Sequence, residues 1–186
     1  MNFISKQGRI TWDSLKEELM ELPKETLVDM IDMWVKNYWT NQNYWMIMVE
    51  RDYGEEVTGC LDSEIWQQTA KAQAHRIKRV LNLGNDIQAL ATALKFTAPQ
   101  WINAGFAWEF LEVSDTRLVM RVNKCPMGTY RGELGLPIFP CKIGSPPLYI
   151  ALAKVINERF SVTCLHAHPD EPRPGVMCEW EFKLEE

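Results

Sequence analysis

The 186-residue sequence has no apolar run near the ~20 residues that a membrane-spanning helix needs. It has no surplus of positive charge either: 20 Lys and Arg stand against 25 Asp and Glu, a formal net charge of −5. That balance supplies no overall cationic field for a nucleic-acid backbone or an anionic membrane surface, so no nucleic acid and no membrane is expected as a partner. The GxxxxGK[ST] loop, a GxGxxG turn after a strand, the HExxH pair and the GxSxG elbow are all missing. Nucleotide binding, zincin-type proteolysis and α/β-hydrolase chemistry thereby lose their usual sequence support. Repeats, low-complexity tracts and dividing linkers are lacking as well. A single α+β domain over 1–186 is the economical reading, with a helical half at 1–100 and a hairpin-helix-hairpin half at 101–186. No charged-then-apolar leader precedes the first expected helix, so the cytoplasm is the expected location.

Histidine is scarce, three in all, and the five cysteines are an odd number. In a cytoplasmic setting that argues for reduced thiols rather than a disulfide framework. Yet four of the five cysteines and two of the three histidines fall between positions 125 and 178. Such a concentration of soft ligands points to metal ligation or thiol chemistry.

The first half reads as helices. Thr11 is placed to cap a short packing helix carrying Trp12, Leu15 and Leu19. A long helix follows, with Leu27, Ile31, Trp34, Tyr38, Asn41, Trp45 and Met48 spaced as one face and Asn41 as its polar interruption. Such a stripe supplies core in most proteins, and a cavity wall for a flat organic ligand would use the same residues. Gly54 ends this helix, and Glu50 near its end is a candidate acid, base or anchor. A turn through Cys60 then leads to Asp62 or Ser63 as cap of a helix over 63–83, whose basic group includes His75, Arg76, Lys78 and Arg79. Asp86 caps another helix, which Pro99 forbids from continuing.

The second half switches to period two. Phe106, Trp108 and Phe110, a Ser114-Asp115-Thr116 turn, and Leu118, Met120 and Val122 predict a β-hairpin. Glycines and prolines keep 125–145 in loops, and Ser145 before Pro146-Pro147 starts a packed helix. Strands over 160–166 and 176–184 complete a second hairpin. The expected fold is α+β: N-terminal helices packed on an antiparallel sheet built from two β-hairpins with an intervening helix.

Strand alternation would align Cys164, His166 and His168 on one face, opposite Cys178 of the partner strand. Zinc takes four thiolate or imidazole ligands, and Cys141, Cys164, His168 and Cys178 supply such a set with His166 or Cys125 in reserve; iron is the weaker match. A one-residue slip in register reverses every face, so which of these completes the site stays open. Cys125 is also a candidate nucleophile, with Arg131 six residues on to favour its thiolate.

Two sets of short motifs carry a resemblance. Tyr44-Trp45, Val49-Glu50-Arg51, Tyr53-Gly54, Leu61-Asp62, Trp66 and Ala74-His75-Arg76 form the first. Cys125-Pro126, Arg131, Gly135-Leu136-Pro137, Phe139-Pro140-Cys141-Lys142, Pro169-Asp170 and Cys178-Glu179-Trp180-Glu181-Phe182 form the second. Their order and spacing resemble an uncharacterised bacterial cytosolic family related to L-2-amino-thiazoline-4-carboxylic acid hydrolase-like proteins, and the ending is similar to 4-vinyl-reductase-domain proteins. The resemblance implies helices against an antiparallel sheet, a pocket for a small hydrophobic or aromatic molecule and, as in some sensor relatives, zinc held mainly by cysteines. Cys141, Cys164, His168 and Cys178 match that site, with His168 standing where the family pattern has cysteine. The expected function is therefore a cytosolic small-molecule-binding domain with a structural or regulatory zinc site. The alternative is a hydrolase of a small cyclic amide or amidine-like substrate using Cys125 or a metal-bound water. Exposed tryptophans would also allow a homodimer.

Overall fold

The computed structural model describes residues 11–97 and 107–185; the expected roles of Pro99 and Phe106 lie outside them. Helix α1 (Trp12–Met20) starts at Thr11, whose hydroxyl accepts the Ser14 N–H while the Ser14 hydroxyl accepts the Thr11 N–H. It buries no residue, so the packing role expected for Trp12 and Leu15 is not what the fold uses.

Helices α2 (Lys24–Tyr53) and α3 (Glu55–Val80) form an antiparallel pair joined by Gly54 alone. Gly54 has φ +85°, a conformation open to glycine and strained for other residues. This corrects two expectations. The chain has no turn at Cys60: α3 runs unbroken through Gly59, and the Thr58 hydroxyl closes the first turn onto the Gly54 carbonyl at 2.8 Å. Asp62 is consequently not a cap: it lies two turns inside α3. The buried stripe of α2 is also one residue away from the expected one. Val35, Trp39, Gln42 and Met46 face inward while Trp34 is 64% exposed. Aromatic and Met residues surround α2 on several sides, so the spacing alone fits neighbouring stripes equally, and the partner helix decides between them. On α3 the buried stripe is Thr58, Asp62, Trp66, Ala70 and Ala74.

Helix α4 (Ile87–Thr97) is capped as expected, the Asp86 carboxylate accepting the Ala89 N–H at 2.8 Å. Strands β1 (Ala107–Val113) and β2 (Arg117–Lys124) form the expected hairpin, closed by the Ser114 N–H on the Arg117 carbonyl at 2.8 Å. Residues 125–145 are more ordered than glycine and proline content suggests. They include α5 (Pro126–Glu133) and the single turn α6 (Cys141–Gly144). Proline at a helix start lacks only an N–H that would have been unpaired there, so Pro126 begins α5 rather than preventing it.

Helix α7 (Pro146–Ile156) then leads to β3 (Phe160–Ala167) and β4 (Cys178–Leu184). Lys78 of α3 donates to the carbonyls of Val155 and Ile156 at 3.3 and 2.7 Å, so this member of the basic group caps the C-terminus of α7. The two hairpins merge into one antiparallel sheet of order β1-β2-β4-β3. Its inner face carries Leu118, Met120, Val122, Phe160, Trp180 and Phe182, which pack with α3, α4 and α7 as the core. No described helix is long and apolar enough to cross a membrane.

A bulge in β3 breaks the expected line of ligands. Cys164 pairs with Trp180, but His166 pairs with Glu179 and Ala167 with Cys178, so Leu165 is the extra residue. His166 is thereby turned to the face of Glu179, opposite to that of Cys164 and Cys178.

Candidate functional site

At the end of the sheet near the first residue of β4, six segments converge. Cys178 opens β4, Cys125 directly follows β2, and Cys141 opens α6. Tyr149 comes from α7, Asp62 and Trp66 from the buried stripe of α3, and Trp39 from α2. These side chains line a cavity of about 80 Å³, closed further by Phe139, Ser145 and Leu148. A second cavity of about 30 Å³ shares Trp66, Leu148 and Tyr149 with it.

Each thiol has a local reason to be there. Cys178 is set by its pairing with Val122 and Ala167. Cys141 is held through Lys142, whose N–H donates to the His168 carbonyl at 3.0 Å and whose ammonium contacts Asp170 at 2.6 Å. Asp170 also takes the Ala167 N–H at 3.2 Å and lies 3.8 Å from His166 Nδ1, which ties the turn after β3 to α6. The Lys142 ammonium beside Asp170 holds that carboxyl below its ordinary range.

The environment inside is apolar and keeps protons on. Burial, and next the neighbouring Cys125, push the Cys141 thiol up to about 12, against a hydrogen bond from Ser145. Burial raises Cys178 further still. The Tyr149 hydroxyl is raised well above its ordinary value by burial and then by Cys178, Cys125, Cys141 and Cys164, the first three of which line the cavity with it. Cys164 stands one step away, on the inner face opposite Trp180, with burial raising its thiol and Lys142 opposing. Cys60 is exposed and does not line the cavity.

Asp62 is the acid of the cavity. The residue is 6% exposed. Gln42 Nε2 donates to Oδ1 at 2.8 Å, and the Trp66 side chain supplies a second hydrogen bond. Burial outweighs both and raises the carboxyl to about 6. Tyr38, beside it, is pushed up to about 12 by burial and then by the Asp62 charge. Tyr38, Trp39 and Trp66 form an aromatic group with ring centroids 6.0 to 6.2 Å apart.

Of the residues singled out from sequence, Cys125, Cys141 and Cys178 meet at one cavity. Neither His166 nor His168 lines it: His166 is carried to the other face by the bulge, and His168 lies past the strand end. Among the described residues, no group of three or more His, Cys, Asp or Glu stands in metal-holding geometry. Arg131, expected beside Cys125, is bidentate to Glu50 at 2.7 and 3.0 Å and donates to the Pro137 carbonyl at 2.6 Å. That buried pair staples α5 to α2 and accounts for both residues. Sequence reasoning missed Asp62, Gln42 and Tyr149. A polar residue inside a buried helical stripe was the available signal, and it was assigned to Asn41 rather than to Gln42 one position on.

The fold and cavity define an α+β protein whose helices close a thiol-lined hollow against an antiparallel sheet. The chain belongs to a family of unknown function, DUF6125, whose pattern matches residues 20–184. No curated protein matches it.

Proposed function

We propose that this protein binds a small, largely apolar or aromatic molecule in the cavity between α2, α3, α7 and the sheet. The observation that carries the reading is the lining itself: three thiols, two indoles and a phenol around one carboxyl. Sites for small organic molecules have this makeup, mostly apolar and aromatic walls with a few polar groups to fix orientation. The resemblance to families with a pocket against an antiparallel sheet points the same way. The test is a ligand-observed NMR screen of small aromatic and aliphatic compounds, followed by the indole N–H signals of the protein. Hits that shift the Trp39 and Trp66 indoles support the reading; hits that leave both unmoved contradict it.

The soft-ligand part rests on thiols. Cys125, Cys141 and Cys178 are of the type zinc selects, and they would have to draw together around it, since they do not stand in metal-holding geometry as they are. When bound, zinc supplies a fixed positive charge to a structural cross-link or a polarised ligand. The protein's own part is to give up the protons that burial now retains on Cys141 and Cys178. Elemental analysis of protein purified without affinity-tag metals should find one zinc per chain, lost in Cys178→Ser; its absence from every preparation removes the metal.

The hydrolase reading is favoured by one observation, that Cys125 and an acid of raised pKa, Asp62, border the same cavity. It expects Cys125 to outpace the other thiols toward iodoacetamide, and uniform slow labelling counts against it.

A further inference from the structure

The cavity holds a carboxyl but no cation to match it. Asp62 has no ion-pair partner among the described residues, and its hydrogen-bond donors, Gln42 and Trp66, are neutral. No Lys or Arg among the described residues lines the cavity. An ionised carboxylate in an apolar enclosure is costly unless a positive charge meets it. The walls beside it are aromatic, from Trp39, Trp66 and Tyr149, and indole and phenol faces attract organic cations, most strongly where water is excluded.

A second observation lies outside. A surface groove of about 700 Å³ runs between the first turns of α3 and the 139–144 segment. Its polar wall carries Glu55, Glu56 and Glu64, its apolar wall Phe139, Pro140 and Ile143, and no basic residue among those described lines it. Phe139 and Gly144 border both this groove and the inner cavity. A Cβ on Gly144 would stand 2.7 Å from the Phe139 ring, so glycine at that position is what seats the ring as the partition between the two spaces. A groove lined by one sign of charge concentrates ligands of the opposite sign. It adjoins a cavity holding that same sign of charge.

We infer that the cavity takes a small organic cation, a protonated amine on a compact aliphatic group, with its charge on Asp62 and its carbons against Trp39, Trp66 and Tyr149. This rests on the cavity being a ligand site and names the class of ligand. About 80 Å³ suits a compact ligand, since a single water needs only about 10–15 Å³. Above pH 6 Asp62 is the charged partner. The other titratable groups facing it or the cavity are Tyr38 of α2, Cys125, Cys141 of α6, Tyr149 of α7 and Cys178 of β4. Burial holds Tyr38, Cys141, Tyr149 and Cys178 protonated at that pH.

The test uses two probes of one shape, tert-butylammonium and tert-butyl alcohol, titrated calorimetrically into the full chain and into Asp62→Asn. The asparagine retains an oxygen for Gln42 and Trp66, and near-ultraviolet circular dichroism verifies that it folds. At pH 8 the wild type should bind the ammonium at least about tenfold tighter than the alcohol. That preference should vanish in Asp62→Asn and shrink in the wild type at pH 5. Equal binding of the two probes, or a preference that survives Asp62→Asn, overturns the cation while leaving the cavity as a ligand site. Binding of neither probe overturns the cation too, and the NMR screen then decides the cavity by itself.

Discussion

Two carboxylate settings on opposite sides of the sheet treat charge in opposite ways. On the outer face of β2 and β4, Arg117 joins Glu112 and Glu181, Lys183 joins Glu181 at 3.0 Å, and Arg121 joins Glu179 at 3.0 Å. Arg117, and next Lys183, hold the Glu181 carboxyl below its ordinary value. On the inner side Asp62 meets only neutral donors, and burial lifts it above its ordinary value. The outer carboxylates are matched by the protein itself and serve the sheet. The inner one has no ion-pair partner among the described residues, and an unmatched charge held at a cavity marks a candidate binding site.

The comparison can be broken most forcefully at its apolar foundation. Phe182 and Glu181 are neighbours in β4 on opposite faces. Phe182→Ala should cost about 3–5 kcal/mol in urea unfolding, because it opens a cavity in the fully buried core. Arg131→Ala should lose a comparable amount, about 3–5 kcal/mol, by leaving Glu50 unpaired; a loss below about 1 kcal/mol would show that the pair does not staple α5 to α2.

Asp62→Asn tests the inner carboxyl directly. With a folded value of about 6 against an ordinary 3.8, the wild type is relieved of the charge below pH 3.8 and loses that stability as pH rises through 6. The variant should therefore gain up to about 3 kcal/mol relative to the wild type at pH 7, shrinking toward zero near pH 3. Glu181 has the reverse sign. Its contribution is present above its ordinary value of 4.5 and is lost as pH falls through its lower folded value. Glu181→Gln should thus cost most at neutral pH, and no more than about 1 kcal/mol there. Two pH profiles of the same sign would erase the distinction between the faces. On the kinetic side, iodoacetamide at pH 8 should label exposed Cys60 while Cys141 and Cys178 stay unmodified, and mass spectrometry of peptides reads the order.

Much of the fold was legible because local chemistry decided it. The period-two run and the Ser114-Asp115-Thr116 turn located the first hairpin, and Thr11, Asp86 and Ser145 marked helix starts through their capping or proline context. What escaped was decided by partners distant in sequence. Asp62 resembles a cap by residue type, and only Gln42, 20 positions away on a packed helix, makes it a buried acid. The thiols could be counted but not their meeting point, because Tyr149 is one aromatic among many until α7 sets it at the cavity that three of them line. The histidines were misplaced by one extra residue at Leu165, which no composition signal announces.

The most direct test is the ionisation of Asp62 itself. A carbon-13 NMR titration of its side-chain carboxyl, assigned by the signal that Asp62→Asn removes, should show a midpoint near 6 in the free protein. A midpoint near 4 would mean that the charge is already solvated or matched, and the cavity would lose the feature that makes it a site.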